Sequence, residues 1–81
     1  MLQETQVGIL VRMFDATSDA IPIKYIIKTL KTKHSYEHPG RIVRDALLEG
    51  LFYVDKIEDD GTTYLALTDS GEEKWERYHY E

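Results

Sequence analysis

Val7, Leu10, Val11 and Phe14 recur at the i, i+3, i+4, i+7 spacing that gathers apolar side chains on one face of a helix, and Ile9 and Met13 widen that stripe. The spacing predicts a first helix over about Gln3 to Asp15. Asp15-Ala-Thr-Ser-Asp19 breaks the period and reads as a turn rich in capping oxygens. Pro22, which has no N–H to donate, suits the first turn of a second helix. Ile23, Ile26, Ile27 and Leu30 carry its apolar stripe, with Lys24, Lys28 and Lys31 turned to solvent. Lys31 to Glu37 has no apolar period and reads as a connector.

His38-Pro39-Gly40 again places proline where a helix can start. Ile42, Val43, Ala46 and Leu47 form a third stripe, and Gly50 follows in the position of a helix C-cap. Arg41, Arg44 and Asp45 point away from that stripe. Phe52 to Ile57 and Thr62 to Leu67 are rich in β-formers, and the Asp60-Gly61 pair between them is a strong hairpin signal. Thr68 is placed to cap a last helix, whose early Asp69, Glu72 and Glu73 suit the positive end of the helix dipole. Trp75 and Tyr78 line one side of it. The expected order is three helices, a two-stranded hairpin and a terminal helix, an α+β domain without repeats or linkers.

Eighty-one residues make one domain at most. A chain this short buries about 60–65 % of its unfolded surface, so its core is thin. Cysteine is absent, which excludes disulfides, thiolate metal sites and thiol nucleophiles. Hydrophobic residues at 42 % and nine aromatics argue for a folded chain. No apolar run approaches the roughly 20 residues of a membrane span, and no basic-then-apolar leader opens the sequence, so no membrane association and a cytoplasmic location are expected.

The net charge of -5 would repel nucleic acid if it were spread evenly. It is not. Six basic residues (Lys24, Lys28, Lys31, Lys33, Arg41, Arg44) face two acids (Glu37, Asp45) between Ala20 and Ala46, whereas three basic residues face nine acids from Leu51 onward. Attraction to phosphate depends on the patch within about a Debye length of the duplex.

Two segments resemble the winged helix-turn-helix family of transcription regulators. Ala46-Leu-Leu-Glu-Gly50-Leu-Phe52 is similar to the exit of that family's recognition helix into the first wing strand. Tyr64-Leu-Ala-Leu67-Thr68-Asp-Ser-Gly71 is similar to its second wing strand, threonine cap and glycine-containing final helix, as in regulators of the multiple-antibiotic-resistance and phenolic-acid types and small archaeal and phage repressors. The resemblance implies a winged helix (three helices, a two-stranded wing, a C-terminal helix) that binds double-stranded DNA as a repressor-like regulator, usually as a homodimer. Two departures stand out. The connector before the third helix is longer and more polar than the usual tight turn, and the wing tip, Glu58-Asp59-Asp60, is acidic and not expected to grip phosphates.

On that resemblance the third helix is the recognition helix. Arg41 and Arg44 stand one turn apart, and an arginine can bond guanine O6 and N7 together. The other reading of both is as solubilising surface residues paired to Glu37 or Asp45. Lys31, Lys33, Ser35, Tyr36 and His38 are candidates for contacts near the groove entry, chiefly to phosphate. Lys24 and Lys28 are equally well read as a solvated helix face. His34 and His38, with Glu37 between, have a metal-like spacing but no third ligand, so polar loop residues are expected and no metal.

Trp75, Tyr78 and Tyr80 either cover the first helix as ordinary core or form a dimer interface, and Leu48 is left partly exposed. No phosphate loop, dinucleotide loop or nucleophile elbow is present, so neither an enzyme nor a cofactor is expected. The alternative is a winged-helix module that binds protein through its acidic wing and C-terminal helix.

Overall fold

The apolar stripes close on one another. The computed structural model describes residues 1–15 and 19–80, without the side chain of Tyr80. In chain order its elements are α1 (Glu4–Arg12), β1 (Ile21–Pro22), α2 (Ile23–Lys33), α3 (Pro39–Leu48), β2 (Phe52–Ile57), β3 (Thr63–Leu67) and α4 (Asp69–Tyr80). Among the described residues this is an α+β domain of four helices and a three-stranded antiparallel sheet ordered β1-β3-β2. Leu10, Val11 and Phe14 from the end of α1 meet Ile26 and Leu30 of α2, Ile42, Val43 and Ala46 of α3, and Leu51, Phe52 and Leu65.

The sheet has one strand more than the expected pair β2–β3. Ile21 pairs with Leu65 and Pro22 with Tyr64, adding β1 on the far side of β3. Two residues are too short to show a period. Pro22 is tolerated because β1 is an edge strand, where a missing N–H need break no ladder bond. It ends that strand as the N-cap of α2 (φ -71, ψ 143), so the helix begins at Ile23 and not at the proline.

Two helix ends also differ from the sequence expectation. α1 stops at Arg12, because Met13 and Phe14 donate to Leu10 and Val11, three residues back. That tighter turn ends the α-helix yet keeps Phe14 only 2 % exposed. Of the Asp15–Asp19 turn, residues 16–18 lie outside the described residues.

At the other junction α2 runs on through Lys31, Thr32 and Lys33, so the connector is His34–His38 and not Lys31–Glu37. Lysine is a good helix former, and without a glycine or proline nothing there stops the helix. Ser35 stops it. Its φ of 58 turns the chain left-handed, and the Tyr36 N–H then reaches the Leu30 carbonyl at 3.1 Å.

The exit from α3 follows the glycine signal. Gly50 has φ 77, its N–H bonds Leu47 and the Leu51 N–H bonds Ala46 at 2.9 Å, the paired bonds of a Schellman cap. The hairpin loop closes with Gly61 N–H on the Glu58 carbonyl (2.9 Å) and Glu58 N–H on Thr62 (2.8 Å). A bulge between Val54 and Lys56 leaves Asp55 opposite no partner in β3.

Thr68 ties these parts together. Its N–H bonds the Leu51 carbonyl at 3.1 Å, its hydroxyl donates to Gly50, and its oxygen accepts the Gly71 N–H at 3.1 Å as the cap of α4. A Cβ on Gly71 would collide with the Leu51 carbonyl, so the first turn of α4 lies directly on that backbone.

Candidate nucleic-acid interface

α3 buries Pro39, Ile42, Val43 and Ala46, a single i, i+3, i+4, i+7 stripe. The same periodicity leaves Arg41, Arg44 and Leu48 on the outside, and Leu48 is 77 % exposed. The Arg44 guanidinium has 64 % of its side chain in solvent and lies 3.5 Å from the Asp45 carboxylate. Ion pairs this exposed and this long hold a side chain weakly, so Arg44 is free to reorient.

Asp45 has a second partner that no sequence pattern announces. The Met1 ammonium lies 3.5 Å from its other carboxylate oxygen, and the Leu2 N–H donates to Glu49 at 2.7 Å. Both acids thus have contacts in the N-terminal segment, but only the Met1 ammonium carries charge, and a pair this exposed offsets Asp45 weakly.

A cleft of about 440 Å³ opens beside the N-terminal half of α3, lined by Ser35, Tyr36, His38 and Arg41, by the acids Glu37 and Asp45, and by Gln3 and Gln6 of the N-terminal segment. The structure thus brings together four of the residues singled out in the sequence. Tyr36 is half-buried and packs on the core, so its ring anchors the connector as well as facing the cleft. Lys33 lines a different groove of about 230 Å³, with Arg12, Tyr25 and His34. Lys31 is exposed on α2 and touches neither hollow. Arg12 is a cation the sequence reading passed over, being on the first helix; its guanidinium stands 5.2 Å from the centre of the Tyr78 ring.

Lys24 and Lys28 are exposed. Lys24 feels the hairpin tip. The Asp60 carboxyl is held below its ordinary value chiefly by the Thr62 N–H (2.9 Å) and hydroxyl, and the positive charge of Lys24 adds to the effect. Glu58 accepts from the Tyr64 hydroxyl, which pushes that phenol up, and Lys56 stands over the Tyr64 ring at 4.6 Å. The acidic tip thus sits at the β1 end of α2, away from the Ser35–Arg41 cleft.

Trp75 and Tyr78 both pack on the core from α4. Trp75 donates its indole N–H to the Phe14 carbonyl at 2.8 Å, and the Tyr78 hydroxyl donates to Glu4 at 2.7 Å. Both polar groups are thus used within the chain, while the outward side of α4 carries the His79 ring stacked on Trp75 at 4.0 Å. The Tyr80 side chain lies outside the described residues. Among the described residues no group of three His, Cys, Asp or Glu could hold a metal ion, and no helix is long and apolar enough to cross a membrane.

Comparison with protein-family models, with curated proteins and with solved structures finds no match to this chain.

Proposed function

We propose that the chain is a winged helix-turn-helix domain that binds double-stranded DNA as a repressor-like regulator, with α3 entering the major groove. One observation carries this reading. Arg41 and Arg44 stand on the exposed side of a helix whose other side is locked into the core, reached through a connector from the lysine-rich α2. A helix in a groove needs that division between a packed face and a polar one.

In this assignment Arg41 and Arg44 read base edges. Lys31, Lys33, Ser35 and His38 fix the register on phosphates, and Tyr36 acts mainly by holding the connector in place. The β2–β3 hairpin is the wing, and its carboxylates keep it off the backbone. Occupation of the site would block a promoter. A palindromic site calls for a two-fold pair. Because Tyr78 is held by Glu4, such a pair through α4 would use the Trp75–His79 stack and the residues beyond it.

Titrating mixed-sequence duplex DNA at about 50 mM salt, where screening is weak, tests the reading. Amide shifts are expected in the Lys31–Arg44 segment, with a log–log salt slope of several units from counterion release. Shifts confined to the hairpin and α4, or no binding, overturn it. Sedimentation with and without a selected duplex tests the pair.

A further inference from the structure

The hairpin carries a second surface, built to repel DNA. Residues directly opposite each other in antiparallel strands share a face. Phe52 lies opposite Leu67, Val54 opposite Leu65 and Ile57 opposite Thr63. The bulge at Asp55 is what returns Ile57 to the same face as Val54 and Phe52. That face is the core face. It is covered at Phe52, which is 2 % exposed, and uncovered further out, where Val54 is 47 % and Ile57 67 % exposed. An apolar strip therefore runs out of the core along β2 into solvent.

Among the described residues β2 is also the edge of the sheet, with no strand paired along its outer side. Beside the strip in sequence stand Asp55 and Asp59, both exposed, while Glu58 is drawn toward the Tyr64 hydroxyl on the opposite face. Lys56, the one cation on β2, is turned to the Tyr64 ring on the opposite face. Two copies meeting along β2 would bring these carboxylates together, which costs energy, and a phosphate backbone would be repelled. The charge selects a basic occupant, and the open strand edge selects an extended one.

We propose that the outer half of β2 docks an extended, basic segment of another protein. Apolar side chains of that segment cover Val54 and Ile57, and its lysines or arginines meet Asp55 and Asp59. The surface is separate from the Ser35–Arg41 cleft, so a DNA-bound domain could hold such a partner at the same time.

A short synthetic peptide alternating valine and lysine is the probe, with a valine–glutamate peptide as its control. The expected result is a set of amide shifts over Tyr53 to Ile57 with the lysine peptide and none with the glutamate one. Ile57→Lys, at a position exposed enough not to disturb the fold, should weaken binding at least about tenfold. Asp55→Lys should weaken the lysine peptide and admit the glutamate peptide. Absence of shifts at about 1 mM lysine peptide overturns the proposal. So does equal binding of both peptides. Shifts in this strand that grow with protein concentration alone assign the surface to a second copy, and shifts there on adding duplex DNA assign it to the DNA interface. Either outcome removes the basic partner.

Discussion

The indole N–H of Trp75 donates to the backbone carbonyl of Phe14 at 2.8 Å, joining α4 to the chain just past α1. That carbonyl lies two residues past the last residue of α1. The bond also fixes the residue whose ring meets Phe52 at a centroid distance of 5.4 Å in the core. Trp75→Phe keeps an aromatic ring on the core and removes the donor together with the part of the indole that stacks on His79. The expected cost is about 1 kcal/mol, or a Tm lower by roughly 4–8 °C, read by calorimetry. An unchanged Tm would mean that water replaces the indole without penalty.

Gly71 and Gly50 invert the usual rule for glycine. Alanine in a helix normally stabilises relative to glycine by about 1 kcal/mol. Gly71 is helical, yet its Cβ would strike the Leu51 carbonyl, which is main chain and cannot swing aside. Gly50 has open space around it but a φ of 77. Gly71→Ala should therefore be the more damaging change, by about 2 kcal/mol or more, against about 1 kcal/mol for Gly50→Ala. Denaturant midpoints of the two variants compare them directly.

The Tyr78 phenol is pushed up from its ordinary value, first by its hydrogen bond to Glu4, then by partial burial and the negative charge of Glu4, with Arg77 and Arg12 pulling the other way. A group raised in the folded state favours folding while protonated. Its contribution is complete below the unfolded value near 10 and is lost as pH rises through the folded one. Glu4→Gln should move the Tyr78 titration back toward 10.0 in ultraviolet difference spectra and flatten the loss of stability on the alkaline side. A titration unaffected by the substitution would show that the bond does not persist in solution.

Arg44→Ala and Lys31→Ala should fail differently on a selected duplex. Loss of a base contact at Arg44 should cost roughly 1–3 kcal/mol and relax preference at one base pair. Loss of a phosphate contact at Lys31 should weaken all sequences alike and reduce the salt slope by about one. Both side chains are exposed, so neither change should lower the Tm much. Equal, sequence-independent losses would make Arg44 a backbone contact. No loss from either, with the fold intact, would remove the DNA-binding reading.

The three N-terminal helices were legible because their signal is local: each stripe repeats within a few turns of its own chain. The caps at Gly50 and Thr68 were legible for the same reason, since left-handed turns and N-caps select particular residue types. β1 was not, because two residues have no period and their partners, Leu65 and Tyr64, lie far along the chain. The end of α2 was misplaced because apolar spacing ran out at Leu30 while helix propensity did not. In the site, the outward direction of Arg41 and Arg44 followed from the 3.6-residue period. The contacts of Asp45 and Glu49 with Met1 and Leu2, and the nearness of Lys24 to Asp60, did not, since both join distant segments.

The two ends of α3 are held very differently. At its C-terminal end the Gly50 cap and the Thr68 bonds tie the helix to the sheet and to α4, whereas its N-terminal end is held by the burial of Pro39, Ile42 and Val43 and is joined to α2 by the five-residue connector from His34 to His38. Any tilt of the helix would therefore turn about a pivot at Gly50. At 1.5 Å of rise per residue, Arg41 lies about 13 Å from the pivot and Arg44 about 9 Å. Any swing of the helix against a surface it meets displaces Arg41 roughly half again as far as Arg44. Of the two arginines, Arg41 is thus the more sensitive to a tilt, and the buried Pro39 and Ile42 beside it limit how far it can travel.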